Sequence, residues 1–157
     1  MAVSRLLRIL AGLWAGAAGV STIEFAIIAP VMCTLTVGLI DFGMGMWHQM
    51  QVSGAARAGA EYVELHGFDS NSIQTVITNA TSYGAITATP APAPICGCSD
   101  ATSGVTAVSC GSSCTSGSGP HRYVSVGAQA SYSMIVPWPG ISNPITLSAT
   151  AIARLYP

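Results

Sequence analysis

Lysine is absent from this 157-residue chain, and charge of either sign is scarce. Five arginines and six acidic residues make up 7% of the sequence and leave a formal net charge of −1, where soluble domains carry about 25% charged residues. With no basic cluster to neutralise phosphates, a nucleic-acid partner is set aside. Catalytic signatures are missing too: no GxSxG elbow, no Walker loop, no dinucleotide fingerprint and no HExxH. The few acids and bases beyond residue 41 form no recognisable pair, so an enzyme is not expected and no cofactor is implied. His48, His66 and His121 share no ligand spacing, which speaks against a metal site.

What the chain does have is apolar surface, in half of its residues. From Ile9 to Ile40 the only charged side chain is Glu24. About 20 apolar residues cross a bilayer as a helix, so residues 20–41 are read as one transmembrane helix. Arg5 and Arg8 precede it, and the nearby charges beyond it are acidic or balanced. The positive-inside bias therefore places the N-terminus in the cytoplasm and residues 42–157 on the far side of the membrane. Residues 1–19, two arginines and then "ILAGLWAGAAG", have the form of a leader. Trp47 and His48 read as interface residues, and Asp41 as a residue at the water boundary.

Five cysteines bear on the compartment. Cys33 falls in the span and reads as a small buried apolar residue. Cys96, Cys98, Cys110 and Cys114 form an even set in a Ser/Gly-rich stretch, residues 96–119, and read as two disulfides. Their CxC and CxxxC spacings are not the CxxC pairs of a typical zinc site. Three pairings are open. If "PICGCS" runs antiparallel to a strand ending at Cys110, nested bridges Cys98–Cys110 and Cys96–Cys114 fit better than crossed ones.

The helical period does not stop at Asp41. Val52, Ala56, Gly59 or Ala60, and Val63 fall on one face, built of residues small enough to bring a neighbour close to the backbone. The spacing predicts one helix of some 40 residues, bent near Ile27 to Pro30 because proline removes a ladder hydrogen bond, and capped by Gly67. A short second helix follows, with Asp69 or Ser70 as N-cap and Ile73, Val76, Ile77 and Ala80 on one face, folded back on the Val52 to Val63 face. Asn79-Ala-Thr81 matches a glycosylation sequon by chance. "ITATPAPAPI" reads as an edge or a connector, since alternating Ala-Pro cannot form a sheet centre. A short strand is expected between Val105 and Cys110. The strongest strand signals are "YVSVGAQASYSMIV" and "ITLSATAIARL", which alternate apolar and polar residues around the turn chemistry of "PWPGISNP". The fold class is therefore α+β: a long N-terminal helix, lipid-facing and then amphipathic, packed on a small antiparallel sheet.

Glu24 is the residue that needs a reason, because a carboxylate at bilayer depth costs about 2.5 kcal/mol or more. Gly19 lies five residues before it, with arginines upstream and an apolar helix downstream. That arrangement resembles a class III prepilin signal, and "GVSTIEFAIIAPVM" with "AARAGAEYV" (residues 55–63) resembles the TadE-like pseudopilins of the tight-adherence (Flp) pilus system. The alternating C-terminal strands are in keeping with that resemblance.

The resemblance implies a pilin-like structural protein of a bacterial inner membrane, required for assembly of a Flp-type pilus. It implies cleavage between Gly19 and Val20 by a prepilin peptidase; cleavage by signal peptidase I and no cleavage are the other outcomes. It implies that Glu24 neutralises the free amine of a neighbouring subunit. The partners implied are the peptidase, other pilin and pseudopilin subunits, the inner-membrane assembly platform and the bilayer. Subunit contacts are expected through Glu24, Phe25, Pro30, Val52, Ala56, Gly59, Ala60 and Val63. The competing reading is a single-pass envelope protein whose disulfide-bonded domain binds a ligand or surface without joining a filament.

Overall fold

A computed structural model describes residues 18–100, 104–115 and 119–156, with the side chains from Ser21 onward. Arg5, Arg8 and the leader before Ala18 lie outside the described residues, as do positions 101–103 and 116–118 of the cysteine-rich stretch. The chain divides after Asp41 into two units.

In the first unit the described chain is helical from Ala18 onward, part of a helix α1 spanning Ala18–His66. Helical structure continues through Pro30. Thr34 and Thr36 turn their hydroxyls back to the carbonyls of Val31 and Met32, at 2.9 and 2.8 Å, which hides two polar groups from an apolar surround. The side chains of Ile23, Phe25, Ile27, Ile28, Leu35 and Leu39 are all exposed. The window of highest mean hydropathy, 2.1, is 0% buried. An apolar helix with no protein around it suggests a single membrane span among the described residues.

The second unit packs the rest of α1 and a helix α2, Ser70–Asn79, on a four-stranded antiparallel sheet. Its strands are β1 (Ala93–Asp100), β2 (Gly104–Val108), β3 (His121–Tyr132) and β4 (Ile145–Arg154), in the order β2-β1-β3-β4. Helix α1 ends where Gly67 takes φ 82° and its N–H reaches the Val63 carbonyl at 2.9 Å, a backbone state that side chains with a Cβ rarely adopt. Asp69 caps α2, accepting from the Asn71 N–H at 3.2 Å and from the Ser72 hydroxyl at 2.6 Å. Val52, Ala55, Ala56, Ala60 and Val63 of α1, Ile73 and Ile77 of α2, and Val124, Val126, Ala128 and Ala130 of β3 are buried in one core. Each fully buried valine or isoleucine contributes about 1.5–3 kcal/mol relative to exposure.

The sequence alternation of β3 and β4 sets their register, from Tyr123 opposite Arg154 to Tyr132 opposite Ile145. On β3 the even positions 124 to 132 are all buried. On β4 each odd position from Ile145 to Ala153 is more buried than the residue after it.

Two expectations are corrected here. The Ala-Pro stretch, expected as an edge or a connector, enters the sheet at its C-terminal end: Ala93, Pro94 and Ile95 open β1, an inner strand. The register shows why this is allowed. Strand β2 reaches only to Cys96, so Pro94 is paired on the β3 side alone, opposite Val124, and local edge geometry accommodates a residue lacking a donor. Further upstream Thr87 bridges Gln129, and Thr89 and Pro90 arch over Gly127, whose absent Cβ would stand 2.7 Å from the Pro90 nitrogen.

The second correction is the disulfide pairing. The bridges are crossed, Cys96–Cys110 and Cys98–Cys114, not nested. Cys96 pairs with Val108 and Cys98 with Thr106, so Cys110, just past the end of β2, meets the nearer Cys96. The chain then reverses, the Ser112 N–H and hydroxyl both bonding the Ser109 carbonyl at 3.1 and 2.8 Å. That turn carries Cys114 back to Cys98.

Candidate functional site

In the first unit, Glu24 stands exposed among exposed Ile23, Phe25, Ile27 and Ile28, one turn and a half before Pro30. A helix presenting one carboxylate on an otherwise apolar surface offers a unique point of attachment to any cation brought alongside it. Gly19 and Val20 belong to α1, and their side-chain surroundings lie outside the described residues. Cys33 is a free cysteine and is exposed on this apolar surface, not buried as the sequence suggested; the helix leaves it facing outward along with its neighbours.

The small-residue face of the second unit has a different fate. Val52, Ala56, Gly59, Ala60 and Val63 are all buried within the chain. At Gly59 an added Cβ would lie 2.8 Å from carbons of both Ile77 and Val126, so α2 and β3 press against α1 at the same point. This bears out the expected fold-back of α2 and corrects the expectation that these five residues meet another subunit. Their surface is already covered by α2 and the sheet. Of the contact residues inferred from sequence, Glu24, Phe25 and Pro30 remain exposed.

His48 belongs to the same inner face, four residues before Val52. Only 8% of its surface is exposed, which corrects its reading as an interface residue. Its ring lies 4.2 Å from that of Tyr83 and 5.2 Å from that of Tyr132, centroid to centroid, and its Nδ1 is buried with no hydrogen-bond partner. Tyr83 is held by its hydroxyl, which donates to the Ser131 carbonyl at 2.9 Å. Trp47, one residue earlier, is half exposed. Asp41, expected at the water boundary, is buried. The signal for both corrections was in the sequence: Asp41, Gly45, His48 and Val52 follow the 3.5-residue spacing of the buried face.

Electrostatics in the second unit are sparse. The hydroxyl of Ser72 and the N–H of Asn71 hold the Asp69 carboxyl below the ordinary carboxylate range. Among the described residues no group of three or more His, Cys, Asp or Glu side chains is placed to hold a metal ion. A shallow cleft beside the Cys98–Cys114 bridge is lined by Ser99, Asp100, Thr106 and Thr115, without convergent acid and base groups.

A family model described as TadE-like protein matches residues 19–61. The match begins at Gly19, contains Glu24 and Pro30, and runs through Gly59 and Ala60, stopping before α2 and the sheet. Over that stretch the chain is similar to TadE-like proteins, a likeness that suggests a pilin-like protein associated with a tight-adherence pilus. No curated protein and no solved structure matches the chain.

Proposed function

We propose, on the premise that residues 19–61 are TadE-like, that this is a minor pilin-like structural protein acting in assembly of a Flp-type pilus. It sits in a bacterial inner membrane with its N-terminus cytoplasmic, and a prepilin peptidase cuts it between Gly19 and Val20. Glu24 then becomes the fifth residue of the mature chain. Its carboxylate pairs with the new α-amine of an adjacent pilin or pseudopilin as subunits gather on the inner-membrane platform. Leaving either charge buried alone costs about 3–5 kcal/mol, so the pair fixes the axial register between neighbours.

The observation that carries this reading is the exposure of Glu24 on a helix otherwise apolar and unburied. The second unit spends its own small-residue face internally, which leaves the N-terminal half of α1 as the surface for assembly. The test is complementation of a strain lacking the protein with Glu24→Gln, together with N-terminal sequencing of mature material. The proposal expects a start at Val20, no maturation shift for Gly19→Leu, and loss of piliation for Glu24→Gln at normal protein levels. Pili shed in normal amount by the Glu24→Gln strain would remove the basis of the proposal, and a start at Ala18 or Gly19 would favour a secreted module.

A further inference from the structure

We infer that the outer side of α1 from Phe42 to Met50 is a lipid contact, which holds the second unit down on the bilayer surface. Between these residues every exposed position is apolar or glycine: Phe42, Gly43, Met44, Met46, Trp47 and Met50. The two polar side chains of the stretch turn inward. His48 is buried, and Gln49 is half-buried with its Nε2 donating to the Ser148 carbonyl at 2.9 Å. Phe42 and Met50 are 67% and 62% exposed, with Met46 exposed between them at helical spacing. Such a contiguous patch marks a contact with a membrane or another protein, where single apolar side chains on a surface would not.

The same side of the helix then changes character. Arg57 lies eleven residues beyond Met46, and Glu61 eleven beyond Met50, which is three helical turns to within about 20°. Arg57, Glu61 and, one turn further, Glu64 are all exposed. An amphipathic helix facing water along its whole outer side would carry such residues from its start. Here they begin only at Arg57, so the boundary between lipid and water falls between Met50 and Arg57.

Chain connectivity decides for lipid over a protein partner. The apolar run of the sequence ends at Ile40, two residues before Phe42, so the patch starts at the bilayer whatever direction α1 takes from there. Among the described residues from Ser21 to Met50, Glu24 is the one exposed charge. A protein interface carries a polar rim around its apolar centre, and residues 42–50 present no polar side chain outward. Tryptophan at position 47 suits the border of the hydrocarbon, where this residue is enriched. The contact requires the membrane span and not the pilus role.

The test places the full chain in phosphatidylethanolamine–phosphatidylglycerol vesicles, with or without lipids brominated on the upper acyl chain, which quench tryptophan on contact. Four single-tryptophan forms are compared. One keeps Trp47 (Trp14→Phe, Trp138→Phe) and leaves α1 unaltered. In the others all three native tryptophans become phenylalanine, and Leu39→Trp, Met50→Trp or Glu61→Trp is the sole probe. Absence of reactive thiols other than Cys33 certifies folding. Trp47 and Met50→Trp should lose most of the emission that Leu39→Trp loses and shift to the blue, while Glu61→Trp does neither. Quenching at Leu39→Trp with none at Trp47 or Met50→Trp would overturn the inference and leave the span intact. Equal quenching of Met50→Trp and Glu61→Trp would overturn the boundary between them. A blue shift at Met50→Trp without quenching, lost on dilution of protein in lipid, would overturn the lipid contact in favour of contact between copies.

Discussion

Gly59 of α1 and Val126 of β3 approach so closely that a single methyl group does not fit between them: a Cβ on Gly59 would stand 2.8 Å from Val126 Cγ1. Since Ile77 closes the same point from the other side, the two neighbours cannot both retreat. Alanine at 59 gains about 1 kcal/mol of helix propensity against an overpacking cost of about 1–3 kcal/mol. A net loss of about 1 kcal/mol is expected for Gly59→Ala, and about 3 kcal/mol or more for Gly59→Leu. Gly54, with nothing within 4 Å of its virtual Cβ, is the contrast: Gly54→Ala stabilises by about 0.5–1 kcal/mol. Urea denaturation of the detergent-solubilised chain, read by protease resistance, ranks the three.

The crossed bridges predict which thiol each single replacement frees. Cys96→Ser exposes Cys110 to alkylation, and Cys98→Ser exposes Cys114; peptide mass spectrometry of alkylated protein identifies the labelled residue. Removing both members of the Cys98–Cys114 bridge, which spans 16 residues, costs about 3 kcal/mol.

Asp69 gives the second unit a pH dependence of known sign. Its carboxyl is held below its ordinary range by the Ser72 hydroxyl and then by the Asn71 N–H. The stabilisation is therefore present above the unfolded-state value and lost as pH falls through the lower folded-state value. Asp69→Asn should lower the denaturation midpoint at pH 7, and the gap from the parent should close in acid. Parallel urea melts at pH 7 and pH 3 measure it; a gap that widens in acid contradicts the cap.

His48 is a packing residue whose Nδ1 has no partner. Deleting the ring in His48→Ala leaves a cavity between Tyr83 and Tyr132 and costs about 2–4 kcal/mol. His48→Phe keeps a ring in the stack and removes the orphaned nitrogen, so it should be as stable as the parent or more so in the same denaturation assay.

These outcomes mark how far the sequence could be read. Helix α1, its stop at Gly67, the Asp69 cap and the β3–β4 pair were legible because each depends on local rules: a period of 3.6 or 2, a capping side chain, a turn. The destination of the Val52 to Val63 face was less so. Small residues say that something comes near, and only tertiary structure says whether it is the chain's own strand or another subunit. The cystine pairing turned on a reversal at Ser109–Ser112, a loop detail with no periodic signature. Glu24 was conspicuous for the opposite reason, as a lone charge breaking a long apolar run.

The contact between Gln49 and Ser148, a 2.9 Å hydrogen bond bridging 99 positions, forms only when nearly the whole chain has been made. The stripe from Val52 to Val63 leaves the ribosome early, but the strand that shields it, beginning at His121, is made much later. At about 5–20 residues per second, the interval is several seconds. During it a greasy surface stands uncovered, open to capture by chaperones or by misplaced neighbours.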